Sequence, residues 1–172
     1  MSADLRAPRP EDLADLVEIL GGAQVRLGTM RLPYPTEAEV RALFLRGDGE
    51  GTARSIVAVL QDKVVGLVCL MPRRGRQGHM ADLFLAVHDD FAGRGLGGQL
   101  MTAVLDLADN WLGLRRIYLE AAAENAAALA LYEKHGFERE GLLRGDTMTE
   151  GYLADSIAMG RMRPGLERRG ER

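Results

Sequence analysis

Four glycines in six residues, Gly93-Arg94-Gly95-Leu96-Gly97-Gly98, stand where a strand-like run, His79 to Val87, gives way to a helical one. Downstream, Leu96, Leu100, Val104, Leu107 and Trp111 recur at the spacing of one helix face, and Arg116 to Ala122 reads as a second strand. Strand, turn, helix and strand in this order make a crossover long enough for the two strands to pair in parallel. The N–H groups of the turn then converge at a helix N-terminus, whose dipole adds positive potential. Glycine lets that backbone approach an anion with no Cβ in the way. An α/β fold with a phosphate-binding nest at this turn is the expectation.

The elements before the turn read as an antiparallel meander. A short strand ends before Pro8, and Glu11 to Leu20 forms a helix with Leu13, Leu16, Val17 and Leu20 on one face. Gly21 to Pro35 lacks periodicity and mixes Gly, Arg, Met, Tyr and Pro, so it reads as a loop suited to binding. Thr36 and Glu39 form a capping box for a helix carrying Val40, Leu43 and Phe44. Ser55 to Leu60 and Lys63 to Met71 pair through a Gln61-Asp62 turn, and His79 to Val87 follows the turn Pro72 to Gly78. Past Ala122, a helix from Ala126 to His135 and strands Phe137 to Leu143 and Tyr152 to Met159 complete the chain. With 172 residues and 47% apolar content, one domain over 1–163 is expected, followed by a polar tail, 164–172.

Gly93, Gly95 and Gly98 also satisfy GxGxxG, so a dinucleotide-binding oxidoreductase has to be weighed. The surroundings oppose it. His88-Asp89-Asp90-Phe91-Ala92 separates strand from glycines, the preceding strands look antiparallel, and the chain is too short for a second parallel half. A P-loop fails because no Lys-Ser or Lys-Thr follows. A net charge of -3 gives no global attraction to nucleic acid or to anionic membrane. The single cysteine, Cys69, lies in an apolar run and supports neither a disulfide nor a CxxC metal site, and no metal is expected. Without an apolar leader or an apolar run of about 18 residues, the chain reads as cytoplasmic and not membrane-bound.

A second constellation, Asn125-Ala126-Ala127-Ala128-Leu129-Ala130-Leu131-Tyr132-Glu133-Lys134-His135-Gly136-Phe137, places an amide, a small gap and a phenol on one helical face through Asn125, Ala128 and Tyr132. Asn125 caps that helix and Gly136 ends it; taken alone, the segment is equally a cap, an alanine face and a core tyrosine. Together the two segments resemble the GNAT acetyltransferase superfamily, with its Gln/Arg-x-x-Gly-x-Gly/Ala turn and its Asn-x-x-Ala-x-x-Leu-Tyr-x-x-x-Gly-Phe helix. Gly95 and Gly97 match the turn. Ala92 stands where Gln or Arg is usual, and Arg94 is the candidate to compensate.

The likeness extends over nearly the whole chain and is closest to bacterial amino-acid N-acetyltransferases, as in Val87-His88-Asp89-Asp90, Asp109-Asn110-Trp111-Leu112, Glu140-Gly141 and the loop Thr29 to Pro35. Asp146 and Thr149 replace a Tyr and an Arg usual in that subgroup, so the acceptor is not assumed to be identical. The resemblance implies a mixed, mostly antiparallel sheet with a parallel βαβ unit at an acetyl-CoA site, and a homodimer. It implies acetyl transfer to the primary amine of a small molecule, an amino acid or related compound, by direct attack in a ternary complex. A protein amino-terminal acetyltransferase and a non-catalytic acyl-CoA sensor are the alternatives.

Such a transfer needs an oxyanion stabiliser, a proton for the departing thiolate and a neutral amine. By resemblance, backbone N–H groups among Leu85, Ala86 and Val87 hold the thioester carbonyl. Ala92, Gly93, Arg94, Gly95, Leu96, Gly97 and Gly98 hold the diphosphate, Asn125 and Ala128 flank the pantetheine arm, and Tyr132 is the general acid. Glu120 is the favoured base and Asp82 its competitor. Exposed strand glutamate and sheet-buried carboxylate are the plain readings of these two. His79 and His88 sit at strand ends and read as surface residues. For an acceptor carboxylate, Arg73, Arg74 and Arg76 on one turn compete with Arg26 and Arg31; Arg31 and Tyr34 are the assigned acceptor contacts.

Overall fold

The computed structural model describes residues 2–44 and 53–165. Of the tail expected over 164–172, residues 166–172 lie outside the described residues. Among the described residues seven strands form one sheet: β1 (Asp4–Arg6), β2 (Arg54–Leu60), β3 (Lys63–Pro72), β4 (Met80–Val87), β5 (Arg116–Ala122), β6 (Glu138–Thr149) and β7 (Tyr152–Met162). Their spatial order is β1-β2-β3-β4-β5-β7-β6, and every neighbouring pair is antiparallel except β4 with β5. The fold is thus the mixed, mostly antiparallel α/β sheet with one parallel unit that the family resemblance implies.

Among the described residues the α-helices are α1 (Leu13–Gly21), α2 (Ala23–Thr29), α3 (Glu37–Phe44), α4 (Leu96–Asp106) and α5 (Ala126–Lys134). Strand alternation gives the sheet two apolar faces. Leu83, Ile117, Leu119 and Met159 pack with Leu96, Leu100, Val104, Leu129 and Tyr132 of α4 and α5. On the other face Val57, Leu67, Cys69 and Ala86 pack with Leu16, Leu20, Val40 and Phe44 of α1 and α3. Cys69 is core, and burial pushes its thiol up.

Three sequence expectations change. Gly21 to Pro35 is not a loop throughout, because Ala23–Thr29 is the helix α2. The Asp89 carboxylate accepts the Gln24 and Val25 N–H groups at 3.1 and 3.2 Å, and Thr29 Oγ1 donates to the Val25 carbonyl at 2.5 Å. Trp111 is 77% exposed rather than part of the α4 stripe. A π turn over Leu107–Trp111, closed by Leu112 N–H to Leu107 C=O at 3.0 Å, rotates the helix so that Ala108 is buried instead. Strand β6 runs to Thr149, beyond Leu143, because a register shift between Leu143 and Thr147 absorbs Arg144-Gly145-Asp146. Gln61 and Asp62, both at positive φ, turn the β2–β3 hairpin, and the Thr36 N–H and hydroxyl each bond Glu39 Oε2 at 2.8 Å.

Candidate active site

The site begins where two parallel strands part. β4 and β5 pair only at Met80 with Arg116, Ala81 with Ile117, and Asp82 with Tyr118; beyond that register both continue unpaired with each other. On its other side β4 stays paired with β3 through Val87. The Arg73 N–H donates to Met80 and the His88 N–H to Val65, so the even-numbered residues of β4 direct their backbone bonds to β3. By alternation Leu83, Leu85 and Val87 turn theirs toward the opening. Of the three residues expected to hold a thioester carbonyl, Leu85 and Val87 have the free N–H groups, whereas Ala86 is committed to β3.

A cleft of about 360 Å³ lies over this opening, walled by α2, the end of β4, the glycine turn and the start of α5. Gly93 and Gly95 adopt φ values of +73° and +81°, and Leu96 begins α4 immediately after. Gly98 faces open space, whereas a Cβ on Gly97 would meet Leu131 at 3.1 Å. Ala92, Gly93, Gly95, Leu96, Gly97 and Gly98 all line the cleft. Arg94 is not among the lining residues: its guanidinium donates to the Asp90 carbonyl at 2.8 Å and lies 5.0 Å from the Phe91 ring centroid.

Asn125 and Ala128 line the same wall. Asn125 Oδ1 is spent on capping α5 by accepting the Ala128 N–H at 3.1 Å, which leaves Nδ2 as its free donor. That Nδ2 lies 2.7 Å from where a Cβ on Gly28 would stand, so any side chain at residue 28 would displace the Asn125 amide.

A second cavity of about 320 Å³ adjoins the cleft, and Gly28, Thr29, Leu85 and Tyr132 line both. Tyr132 is 7% exposed, and burial alone pushes its phenol up to about 12. The second cavity contains both candidate carboxylates. Asp82 is held by Arg73, whose Nε donates to Oδ2 at 2.9 Å and whose Nη2 donates to Oδ1 at 2.5 Å. Glu120 is exposed, and its Oε1 accepts the Tyr118 hydroxyl at 2.6 Å. Burial and this bond to a carboxylate push Tyr118 up to about 12. Asp82 is therefore not the buried carboxylate of its plain reading, and Arg73 is more than a solvated turn residue, since it also lies 5.4 Å from the Tyr118 ring centroid.

Neither histidine at the strand ends enters these cavities. His79 is exposed, as expected. His88 is not a surface residue: it is 8% exposed, its Nδ1 accepts the Asp90 N–H, and Nε2 therefore bears the proton facing Glu18 at 3.0 Å. Arg31 and Tyr34 belong to a third cavity of about 460 Å³ beside the second, with Tyr34 at its solvent rim and 91% exposed. Sequence reasoning singled out neither Tyr118, for which the signal is its two-residue spacing from Glu120, nor Gly28, Thr29 and Met30 individually, although all three lie in the segment Gly21 to Pro35 that it reads as suited to binding.

Residues 23–137, more than half of the chain, match the model of the acetyltransferase (GNAT) family. The chain is 28% identical over 160 residues to the L-amino acid N-acetyltransferase AaaT of Escherichia coli K12, covering 92% of this chain and 97% of that one. Among solved structures it superposes on spermidine N-acetyltransferase from Vibrio cholerae in complex with CoA and spermine with a TM-score of 0.82, at 26% identity, over 94% of this chain and 95% of that one. A GNAT-family acetyltransferase from Streptococcus pneumoniae gives 0.81 at 27% identity, over 94% and 100%.

Proposed function

The chain belongs to the acetyltransferase (GNAT) family and is an N-acetyltransferase, and we propose that it transfers acetyl from acetyl-CoA to the primary amine of a small molecule, an amino acid or related compound, by direct attack in a ternary complex. The observation that carries this reading is the meeting of two cavities at the strand opening: a glycine-lined cleft and a carboxylate-bearing pocket with Tyr132 in the wall of both.

Acetyl-CoA supplies an activated acyl group with a thiolate as leaving group. The residues of the cleft suit it: a helix N-terminus preceded by glycines at positive φ for the diphosphate, small side chains at Ala127 and Ala128 for a thin arm, and free backbone N–H groups at Leu85 and Val87 for a carbonyl oxygen. Those two N–H groups belong to a strand fixed on its other edge by β3, so they are pre-aimed. Tyr132 keeps its proton throughout the neutral range and offers it to the departing sulfur. Glu120 takes the proton of the incoming amine; Asp82, with both oxygens committed to Arg73, orients that arginine. The exposed Leu142, Met148 and Leu153 of β6 and β7 form the candidate contact for the homodimer.

Calorimetry with acetyl-CoA, CoA and NADH, followed by thiol release in the presence of amino acids, polyamines and short peptides, tests the reading. Binding of acetyl-CoA and CoA but not NADH, with release dependent on an amino acid, is the expected result. Tight binding with no release would make the chain a sensor. Release only with peptides would assign it to protein amino termini.

A further inference from the structure

Beyond the acceptor pocket the channel does not end. Thr29 lines the cofactor cleft, the acceptor pocket and the third cavity alike, and Met30 continues from the second into the third. Resting on the reading of the chain as an acetyltransferase of small amines, we propose that this third cavity is the subsite for the acceptor's carboxylate, with Arg31 as its anchor.

Arg31 is a half-buried cation that forms no ion pair among the described residues, although the Glu39 carboxylate stands close enough to act on it electrostatically. Its guanidinium carbon lies 4.6 Å from the Phe84 ring centroid and 5.4 Å from that of Phe44. Its Nε is buried without a hydrogen-bond partner, and no carboxylate among the described residues pairs with it. Glu39, in the same cavity wall, spends its carboxylate on the Thr36 N–H and hydroxyl. Burial lowers the Arg31 pKa, and the nearby Glu39 and Cys69 offset that shift only in part. Two aromatic faces offset part of that cost, and a ligand carboxylate offering two oxygens to the guanidinium fork would offset much more.

The rival arginines are excluded by their partners or their position. Arg73 is saturated by Asp82 and Arg116 by Glu140, Arg74 and Arg76 are exposed on their turn, and Arg26 lines none of these cavities. Placement agrees as well. Phe84, under the guanidinium, precedes Leu85, whose free N–H faces the opening, and the stretch between anchor and reacting centre is walled by Met30, Met71 and Phe84. An acceptor held there presents its carboxylate toward Arg31 and its amine toward Glu120 and Tyr132, with Met30, Met71 and Phe84 against its apolar carbon.

The test is a comparison of acceptors by CoA release. The twenty amino acids are screened first, and the best is then compared with its own amide, with its decarboxylated amine and with spermidine, in wild type, Arg31→Gln and Arg31→Lys. Wild type should prefer the acid to its amide by about 10²-fold in kcat/KM or more, because a site built for hydrogen bonding rejects the analogue that leaves it unpaired. Arg31→Gln should collapse that ratio toward one by lowering kcat/KM for the acid far more than for the amide, and Arg31→Lys should restore part of it. Equal use of acid and amide by wild type, turnover of spermidine alone, or an equal loss for all acceptors in Arg31→Gln would overturn the anchor and leave the acetyltransferase reading standing. Acetyl-CoA binding with no release to any amine would overturn that reading, and the anchor with it.

Discussion

Replacing Tyr132 by phenylalanine isolates one proton. The ring is packed in the core beside Phe137, with ring centroids 5.9 Å apart, and burial is the sole cause of its raised pKa of about 12, so the hydroxyl has no protein partner whose loss would cost stability. Thermal unfolding of Tyr132→Phe should therefore stay within about 2 °C of wild type, since a change well below about 1 kcal/mol moves a domain of this size by no more than that. Catalysis should not be spared. Moving a proton from a phenol near 12 to a thiolate of pKa about 8.5 is uphill by about 3.5 units, or about 5 kcal/mol, unless the thiolate is desolvated by the same walls. That handicap places the acid at the lower end of its usual contribution, so kcat should fall about 10²-fold with the KM for acetyl-CoA preserved. The loss should be flat from pH 6 to pH 9, because the phenol does not titrate below about 12. Initial rates of thiol release across that range measure it. A variant with wild-type kcat, or a loss that vanishes as pH rises, would refute Tyr132 as the proton donor.

Glu120→Gln should depress activity most at neutral pH and recover partly as alkaline buffer deprotonates the amine, whereas Asp82→Asn should weaken acceptor KM more than kcat, since it frees Arg73; pH–rate profiles of both variants distinguish base from positioning residue. Gly98→Val should raise the acetyl-CoA dissociation constant at least tenfold without unfolding, because its side chain would enter open cleft, while Gly97→Val should also lower the melting temperature by collision with Leu131; calorimetry and thermal melts read both. Asp12, 5% exposed, accepts from Arg6 at 2.7 and 2.8 Å, and that bond lowers its pKa from 3.8. Its stabilisation is present above the unfolded value and lost as pH falls through the folded one, so Asp12→Asn should flatten the decline of urea stability below about pH 4 and cost roughly 3 kcal/mol at pH 7.

What could be read from the chain beforehand follows the range of the forces involved. The glycine turn, the Thr36–Glu39 box, the Gln61-Asp62 hairpin and the Asn125 cap depend on residues within a few positions of one another, and each forms where the sequence places it. The parallel β4–β5 pair follows from the length of its crossover. The helical period misplaces Trp111 because it assumes that every turn is an α-turn, and the π turn at Leu107–Trp111 breaks the assumption. His88 was misread because the end of a strand is not the end of the core: Glu18, 70 positions away, folds over it.

Helix α2 shows the same limit where it matters most. Its seven residues are too few to hold a helix alone, and its N-terminal N–H groups are bonded by Asp89, 64 and 65 positions later in the chain. Gly22 is required at its entry, because a Cβ there would stand 2.9 Å from the Asp89 carboxylate. No local pattern announces such a helix, yet it supplies Gly28 and Thr29 to both cavities. The segment Val87-His88-Asp89-Asp90 thus has three attachments within four residues: Val87 opens toward the cleft, His88 bonds Glu18 of α1, and Asp89 caps α2. Because the glycine turn begins three residues later, the backbone that would receive a diphosphate and the helix that walls the acceptor pocket are set from a single anchored corner. A displacement of that corner cannot alter one side of the reaction without altering the other.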